Sequence, residues 1–516
     1  MRKRLYLSGL IPVVFFTCVG FLVMGYHPGA EDDGVYLAAV KSAAAPALYP
    51  HDAAFFKLQM RTSVFDTWMA QFVHATGLSI AWSEFLWQWV SLFLMLLACW
   101  LILCELFEER PARWGGLAML AAMLTIPVAG TALYIADQYL HPRNPATALI
   151  LLAVARVIKG KRWQAVPLLL LAFILHPLMG AFGVSFCFVL TLTFSEPVRQ
   201  QVRSWRAQFV TDAEPETEAV TPVGALVPFG WLLNKPSSTY LDAIRTRHSY
   251  LLFQWTWYEW LGAIGPLVIF WIVGRVARKQ NQTNLARFAS AILIYAVFHQ
   301  LLAMVLVGPP AFVAFTTLEP MRYLQLVYVF LALIGGAYLG KCLLKQRAWR
   351  WCVFLLAANG GMFIAQRQLF ASTEHIEIPG RPSGNAWLQA FDWSRTHTPE
   401  DAYFAIDPNY MSAAGEDNLG FRALAERSVL ADADKDAAVV TKSPELGEAW
   451  TRQVQATAGW QHFQLSDFQR LNREFGVDWV LVSYPAPAGL ACSWHNQALS
   501  VCQIPAPAQE ARTDGF

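Results

Sequence analysis

The apolar run Leu5–Gly25, LYLSGLIPVVFFTCVGFLVMG, is followed almost at once by the acidic stretch His27–Tyr36, HPGAEDDGVY. The run is long enough to cross a bilayer, basic residues precede it, and no small-residue cleavage site follows it. These features predict an uncleaved signal anchor whose N-terminus lies in the cytoplasm. The consecutive carboxylates Glu31, Asp32 and Asp33 are therefore expected just outside the membrane, on its outer face.

Neighbouring carboxylates repel one another, so such a cluster persists when it is solvated, binds a cation, or keeps one member protonated for acid–base chemistry. A solvated acidic loop is the simpler interpretation. The position of the cluster at the membrane face, ahead of many further spans, favours the alternative, a catalytic loop. We therefore treat Glu31, Asp32 and Asp33 as candidate catalytic residues.

The composition is that of a membrane protein. Of the 516 residues, 55% are hydrophobic and only 15% are charged, and the mean hydropathy is +0.35. A chain this apolar is predicted to be a polytopic α-helical membrane protein. Its formal net charge of +2 gives no reason to expect a nucleic-acid partner.

Further apolar segments bring the predicted number of membrane-spanning helices to about eleven. They lie at residues 84–106, 115–135, 145–158, 163–175, 178–194, 258–276, 286–307, 323–340 and 349–366, with one more at Val220–Leu233. The last segment is short and contains two prolines, so a broken or re-entrant segment is the alternative. Basic clusters at residues 110–113, 156–162, 199–206, 275–287 and 341–350 mark the cytoplasmic loops.

The predicted transmembrane domain covers residues 1–367, and its first outer loop covers residues 26–83. In that loop, Val35–Ala45 has helical spacing. A second helix is amphipathic and is expected to lie on the membrane surface. The apolar face of that helix carries Val64, Phe65, Trp68, Met69, Phe72 and Val73.

Residues 368–516 are more polar and are predicted to form an outer α/β domain. Its expected elements are a helix at Trp387–Thr396 and strands at Ala402–Ile406, Asp478–Tyr484 and Leu499–Ile504. Cys492 and Cys502 lie near the last strand. In an oxidising compartment they are expected to form a disulfide, and two unpaired thiols are the alternative.

Short outer loops usually avoid cations, so the arginines predicted there are informative. Asp137, His141 and Arg143 share one outer turn, and Arg322 stands at the outer start of another span. Because the guanidinium fork matches phosphate oxygens, Arg143 and Arg322 are candidate phosphate-binding residues. An arginine that snorkels or forms a salt bridge is the alternative for each.

Two further outer segments carry candidates. His176 joins two spans, and a structural role is the simpler interpretation of it. The segment that contains Arg247, His248, Trp257 and Glu259 is rich in aromatic residues. An interfacial aromatic belt explains most of this pattern, and a platform that binds a sugar or a lipid is the alternative.

The acidic motif at residues 31–33, the adjoining surface helix, Asp137 in the next outer loop, about eleven spans and a terminal outer domain together resemble the GT-C superfamily of membrane glycosyltransferases. The resemblance implies transfer of a sugar from a polyprenyl-phosphate donor, with acids of the first outer loop serving as base or metal ligand. It implicates Glu31, Asp32 and Asp33 as catalytic residues, with Asp137 as the second outer-loop acid.

This chemistry needs a carboxylate that activates an acceptor hydroxyl and cations that neutralise the departing phosphate. Asp32 or Asp33 is predicted to activate the hydroxyl. The departing phosphate is predicted to be bound by Arg143 and Arg322 together with His141 and His176. Asp137, Arg247, His248, Trp257 and Glu259 are expected to contact the substrate. Asp33 and Asp137 are also candidate ligands for a divalent cation, Mg²⁺ or Mn²⁺.

The sequence thus predicts an inverting GT-C-type enzyme of the bacterial inner membrane, with its C-terminal domain in the periplasm. The expected acceptor is a lipid or a glycan, in envelope glycan or glycolipid synthesis. A transporter or flippase of lipid-linked glycans would also place charges along a path through the membrane. A non-catalytic subunit of a polysaccharide assembly system would have the same layout.

Overall fold

The computed structural model describes residues 9–196, 200–201, 236–308, 310–413 and 415–505. The basic residues Arg199, Arg203 and Arg206 and the predicted segment Val220–Leu233 lie outside these ranges. The helical part is a bundle whose helices are Leu10–Met24, Ile80–Leu106, Arg110–Ala122, Arg143–Ile158, Arg162–Leu175, Pro177–Phe194, Trp257–Lys279, Thr283–Val307, Leu324–Leu339 and Ala348–Leu369.

Among the described residues, six helical segments are long and apolar enough to cross a membrane. These segments are Ile80–Leu106, Pro177–Phe194, Trp257–Lys279, Thr283–Val307, Phe312–Leu344 and Ala348–Leu369. Leu10–Met24 and Arg162–Leu175 are shorter apolar helices at two further predicted positions. The chain is therefore a multi-pass α-helical membrane protein, although the long apolar helices of the described ranges are fewer than the spans we predicted.

The predicted span at residues 115–135 is wrong. Helix Arg110–Ala122 ends early, and the chain then forms an antiparallel hairpin from Pro127–Val128 and Leu133–Tyr134. Pro127 has no N–H and disfavours a helical residue before it, so the helix stops ahead of it. Gly130, in the hairpin turn, has a φ of +61°, and a Cβ there would come within 2.4 Å of Trp255. The hairpin thereby packs against the loop that contains Trp255.

The loops at one end of the bundle carry the basic clusters of the described ranges. Asn284 donates from Nδ2 to the carbonyl oxygen of Glu105 over 3.3 Å, and Lys341 pairs with Glu109 at 2.6 Å. The short loops after Leu106, Lys279 and Leu344 therefore meet at this end, which we call the inner end.

The opposite end, which we call the outer end, is covered by the first loop. Its helices are Asp33–Ala44, Ala54–Lys57 and Phe65–Thr76, as the sequence pattern predicted for the first and last of them. The predicted apolar face of Phe65–Thr76 buries Phe65 and Met69, and Gly77 ends this helix in a left-handed conformation. Ser63 donates its hydroxyl to Leu175 O over 2.7 Å, which fastens the loop to the bundle.

The C-terminal region contains a five-stranded mixed sheet with helices on both faces. In spatial order its strands are Ser428–Val429, Tyr403–Ala405, Trp479–Ser483, Leu499–Gln503 and Ala491–His495. The first three are parallel and the last three antiparallel. The helices of this region are Ala386–His397, Phe421–Ala425, Lys435–Val440, Gly447–Ala456 and Leu465–Phe475.

The predicted helix and the three predicted strands of this region are confirmed, and the strands Ser428–Val429 and Ala491–His495 were missed. Alternate residues of the central strand enter two cores: Leu481 packs beneath helix Ala386–His397, and Val480 packs beneath Leu465–Phe475. Cys492 and Cys502 face each other across the antiparallel strands and form a disulfide, which confirms that prediction.

The outer sheet region clamps the acidic stretch onto the bundle. Gly420 N donates to Gly29 O over 2.8 Å, and Glu31 N donates to Asn418 O over 2.9 Å. A Cβ on Gly420 would come within 2.5 Å of the Cα of Gly34, so the two backbones pack in direct contact. The acidic stretch is thus held between the bundle and the C-terminal region.

Candidate active site

A cavity of about 470 Å³ lies at the outer end of the bundle, beside the acidic stretch. Its walls come from the first loop, the hairpin at residues 127–134, the outer turn at 139–141, the segment at 246–250, residues 319–322 ahead of helix Leu324–Leu339, and helix Lys435–Val440 with the residues that follow it. Seven predicted site residues line it: Glu31, Asp32, His141, Arg247, His248, Glu259 and Arg322. Residues that are far apart in the sequence therefore converge on one cavity.

The carboxylates of Glu31 and Asp32 face this cavity and share one cation. Lys435 Nζ lies 2.6 Å from Glu31 Oε2 and 3.0 Å from Asp32 Oδ1. Burial opposes ionisation of Asp32, but Lys435, Arg143 and Arg322 act together with other nearby groups against it, and the pKa of Asp32 is held well below its usual range. Asp32 is consequently an ionised carboxylate at neutral pH.

Lys435 is positioned by a network of carboxylates in the C-terminal region. Asp432 Oδ1 accepts from Lys435 N over 2.6 Å at the start of helix Lys435–Val440. In the same helix, both oxygens of Asp436 accept from Arg422, over 2.8 and 2.9 Å. This bidentate pair ties the helix to the neighbouring helix Phe421–Ala425, so the position of Lys435 is fixed by its own domain.

Asp33 does not line the cavity. It is the first residue of helix Asp33–Ala44, its side chain is buried, and its Oδ2 accepts from Gly29 N over 2.6 Å. Burial raises the pKa of Asp33, since its other oxygen has no hydrogen-bond partner among the described residues. Of the two candidates for the base, Asp32 therefore lies in the cavity, and Asp33 lies outside it with its pKa raised to about 7.

Arg143, predicted to bind phosphate, pairs with Asp137 through two guanidinium nitrogens, and its Nη1 has no hydrogen-bond partner among the described residues. Arg143 Nη2 and Nε donate to the two carboxylate oxygens over 2.7 and 3.1 Å, and both side chains are buried. Gln88 fixes the same turn by donating to Asp137 O over 2.7 Å. Because both Asp137 oxygens are already used, this pair supports the wall of the site and does not face a ligand directly.

His141 is a neutral polar group of the cavity wall. Its Nδ1 accepts from Arg143 N over 3.0 Å, which leaves the proton of the neutral ring on Nε2. Burial, followed by the charge of Arg143, lowers the pKa of His141 well below its usual range. The ring packs edge-on against Tyr36 at 4.4 Å, so His141 contributes a hydrogen-bond donor and no charge.

A second group of charges lies on the other side of the cavity. The carboxylate of Glu319 pairs with Arg322 and lies 3.4 Å from Lys442 Nζ. Tyr250 donates its hydroxyl to Glu319 Oε1 over 3.3 Å. Burial opposes the charge on Lys442, but Glu319, together with Tyr250 and Tyr36, raises the pKa of this lysine.

Of the predicted substrate-binding segment, Arg247, His248 and Glu259 line the cavity and Trp257 does not. Arg247 Nη1 pairs with Asp434 at 2.9 Å, while its Nε and Nη2 have no hydrogen-bond partner among the described residues. His248 Nε2 lies 3.2 Å from Glu259 Oε2 at the rim. Trp257 does not line the cavity and is 76% exposed, which fits the interfacial alternative.

His176 also lies away from the cavity lining. Its Nδ1 accepts from Met179 N over 3.4 Å, which caps helix Pro177–Phe194, and its ring is 5.7 Å from that of His141. This geometry supports a structural role for His176 as the N-terminal cap of the helix.

The predicted metal ligands Asp33 and Asp137 offer no joint site. Asp137 gives both oxygens to Arg143, and Asp33 accepts from the backbone of Gly29. Within the described ranges, no group of three or more His, Cys, Asp and Glu side chains is arranged to hold a metal ion. The arrangement of Asp33 and Asp137 therefore does not fit the predicted Mg²⁺ or Mn²⁺ ion.

Sequence reasoning missed Lys435, Lys442 and Tyr250. The two lysines are seven residues apart, a spacing that puts side chains on one face of a helix, and an apolar run lies between them. That pattern could have singled out the pair. Nothing in the sequence says that their partners are Glu31 and Glu319, which belong to the transmembrane domain.

Comparison with solved structures finds several chains to which this one is similar. The chain is similar to ArnT from Cupriavidus metallidurans bound to undecaprenyl phosphate, with 14% identity, a TM-score of 0.38, and 97% of this chain and 99% of that chain covered. The match to ArnT from the same organism in the apo state has 13% identity and a TM-score of 0.33, and it covers 98% of this chain and 99% of that chain. The chain is also similar to an oligosaccharyltransferase from Archaeoglobus fulgidus in the apo form, with 14% identity and a TM-score of 0.21. The match covers 92% of this chain and 57% of that chain.

No protein-family model and no curated protein matches the chain by sequence. The TM-scores of these neighbours lie below 0.5, and no fold assignment or residue role is taken from them.

Proposed function

We propose that this protein is a GT-C-type membrane glycosyltransferase. It moves a sugar from a polyprenyl-phosphate-linked donor to a lipid or glycan acceptor in the outer-end cavity. The observation that carries the proposal is the meeting of an ionised carboxylate, Asp32, with the cations Lys435, Arg322 and Lys442 around one cavity of about 470 Å³. Its volume is within the range of small-molecule sites.

The two sides of the cavity suit the two halves of the reaction. Asp32 accepts the proton of the acceptor hydroxyl, whose oxygen attacks the anomeric carbon of the donor. The bond from that carbon to the phosphate oxygen breaks, and the phosphate leaves with the electron pair. Arg322 and Lys442 neutralise its charge. Attack from the face opposite the leaving phosphate inverts the anomeric configuration.

Arg247 and His141 supply the remaining contacts. The unpaired Nε and Nη2 of Arg247 are donors for oxygens of the sugar or the phosphate. Nε2 of His141 is a further donor, and it adds no charge that would compete with the cations for the phosphate. Both side chains therefore orient the donor without changing the proton balance of the reaction.

We infer the orientation in the membrane from the distribution of basic residues between the two ends of the bundle. The basic clusters of the described ranges lie at the inner end, and a cytoplasmic inner end would satisfy the inside-positive rule. The cavity and the C-terminal region would then be periplasmic, in the inner membrane of a bacterium, where envelope glycans and glycolipids receive their sugars. Reporter fusions after Gly380 test this directly, because a cytoplasmic signal there would reverse the assignment.

The activity test uses a pair of adjacent substitutions. Lipids that co-purify with the protein are identified by mass spectrometry, and the glycosylated polyprenyl phosphate among them is supplied as donor. Asp32→Asn should reduce transfer by about 100-fold or more, because the amide keeps the shape and removes the proton acceptor. Asp33→Asn is the matched control and should retain most of the activity.

The outcome separates the classes of protein that the sequence left open. A transporter or flippase, or a non-catalytic subunit, would show no transfer in the native protein. Native transfer that survives Asp32→Asn but is lost in Asp33→Asn would contradict the assignment of the base.

A further inference from the structure

Glu319 lies between two cations of the cavity. Its carboxylate pairs with Arg322 on one side and lies 3.4 Å from Lys442 Nζ on the other. Tyr250 adds a hydroxyl donor at 3.3 Å. Three donors from three separate segments thus converge on one carboxylate, and the side chain of Glu319 is only 4% exposed.

The backbone of Glu319 is in an unfavourable conformation. Its φ and ψ are 44° and 53°, in the left-handed region that residues other than glycine seldom adopt. The next residue is Pro320, which further disfavours a helical conformation of the residue before it. Such conformations persist when surrounding contacts hold them and are concentrated at functional sites. The Glu319 backbone is held by hydrogen bonds with Thr316 O and Arg322 N, and its side chain is held by the donors of the cavity.

The donors around Glu319 suit a phosphate at least as well as a carboxylate. An arginine fork, an ammonium group and a phenolic hydroxyl are all typical partners of phosphate oxygens. Each of them also lines the cavity that holds Asp32. Arg322 and Lys442 can meet an incoming phosphate fully only if the carboxylate of Glu319 gives up its place.

We propose that Glu319 is an internal competitor that occupies the phosphate subsite formed by Arg322, Lys442 and Tyr250, and that a lipid phosphate binds by displacing it. The inference rests on the proposed function and names the regulation of the same site. The displaced Glu319 leaves its left-handed conformation, so phosphate binding changes the path of the backbone ahead of helix Leu324–Leu339. Return of Glu319 helps to expel the phosphate after the sugar has been transferred.

The test measures binding of synthetic undecaprenyl phosphate to the purified full-length protein, with undecaprenol as the uncharged control ligand. Glu319→Gln keeps the shape of the side chain and removes its charge. It should bind undecaprenyl phosphate about tenfold more tightly than the native protein does, because the competing anion is gone. Undecaprenol should bind both proteins alike. Lys442→Gln is the matched variant and should weaken phosphate binding.

The outcomes are distinguishable. If the native protein binds undecaprenyl phosphate and Glu319→Gln binds it no more tightly, Glu319 orients the cations and does not compete, and this inference alone fails. If neither protein prefers the phosphate to undecaprenol, the proposed function fails as well. Should Glu319→Gln unfold, Glu319→Gly makes the same test, since glycine adopts the left-handed backbone without strain.

Discussion

Two carboxylate–cation pairs at the outer end of the bundle differ in how far they are enclosed. The side chains of Asp137 and Arg143 are 2% and 1% exposed, whereas Asp32, paired with Lys435, is 36% exposed. An enclosed pair has no access to other partners, so Asp137 and Arg143 act as a fixed part of the wall. Asp32 is open to the cavity although Lys435 is only 10% exposed, so the Asp32 carboxylate can exchange partners with a ligand, as catalysis requires.

The largest expected effect comes from breaking the enclosed pair. Arg143→Gln leaves the Asp137 carboxylate buried without its cation, and we expect a loss of about 3–5 kcal/mol in the free energy of unfolding. Thermal unfolding in detergent measures it. The corresponding change in the pair formed by Asp32 and Lys435, Lys435→Gln, should cost much less, because the Asp32 carboxylate left behind is 36% exposed. Equal losses in the two variants would show that the two pairs do not differ as we describe.

Lys435→Gln should instead act on the reaction. Without this cation the pKa of Asp32 rises toward or above its usual range, so the base is ionised only at higher pH. We expect transfer to fall by about 100-fold at slightly acidic pH and by less at alkaline pH. The acid limb of the pH–rate profile should therefore move to higher pH. A uniform loss at every pH would indicate that Lys435 serves only to bind substrate.

The smallest effect is expected at Asp33. Its raised pKa means that the folded protein keeps the proton while the unfolded chain loses it above about pH 4. The contribution of Asp33 to stability is therefore greatest at low pH and declines as the pH rises toward the raised value. Asp33→Asn should remove this decline. The difference in melting temperature between the native protein and the variant should therefore narrow or change sign between pH 5 and pH 8. A constant difference would mean that Asp33 is ionised in the fold.

The adjacent acids also show how far the sequence could lead. The acidic stretch, most helices, three strands of the sheet and the disulfide followed from composition and spacing. The choice between Asp32 and Asp33 did not, because Asp33 begins a helix and successive helical residues point in directions about 100° apart. Which of the two faces the cavity depends on how that helix packs, and the local sequence does not fix this.

Long-range partners set the other limit. Lys435 is about four hundred residues from Asp32 in the sequence, and tertiary contacts such as those of Gly420 with Gly29 and of Glu31 with Asn418 bring them together. The enclosed state of Arg143 depends likewise on Asp137 and on Gln88 from another helix. The sequence could identify the charges at the outer end, but their partners are a property of the tertiary fold.

In the proposed mechanism, the outer-end cavity binds the lipid phosphate next to Asp32. The most direct measurement is a cryo-EM structure of the full-length protein in a lipid nanodisc with undecaprenyl phosphate. We predict density for the phosphate within hydrogen-bonding distance of Arg322 and Lys442, with Glu319 turned away. Phosphate density at the inner end, between residues 104–113 and 280–285, would contradict the account.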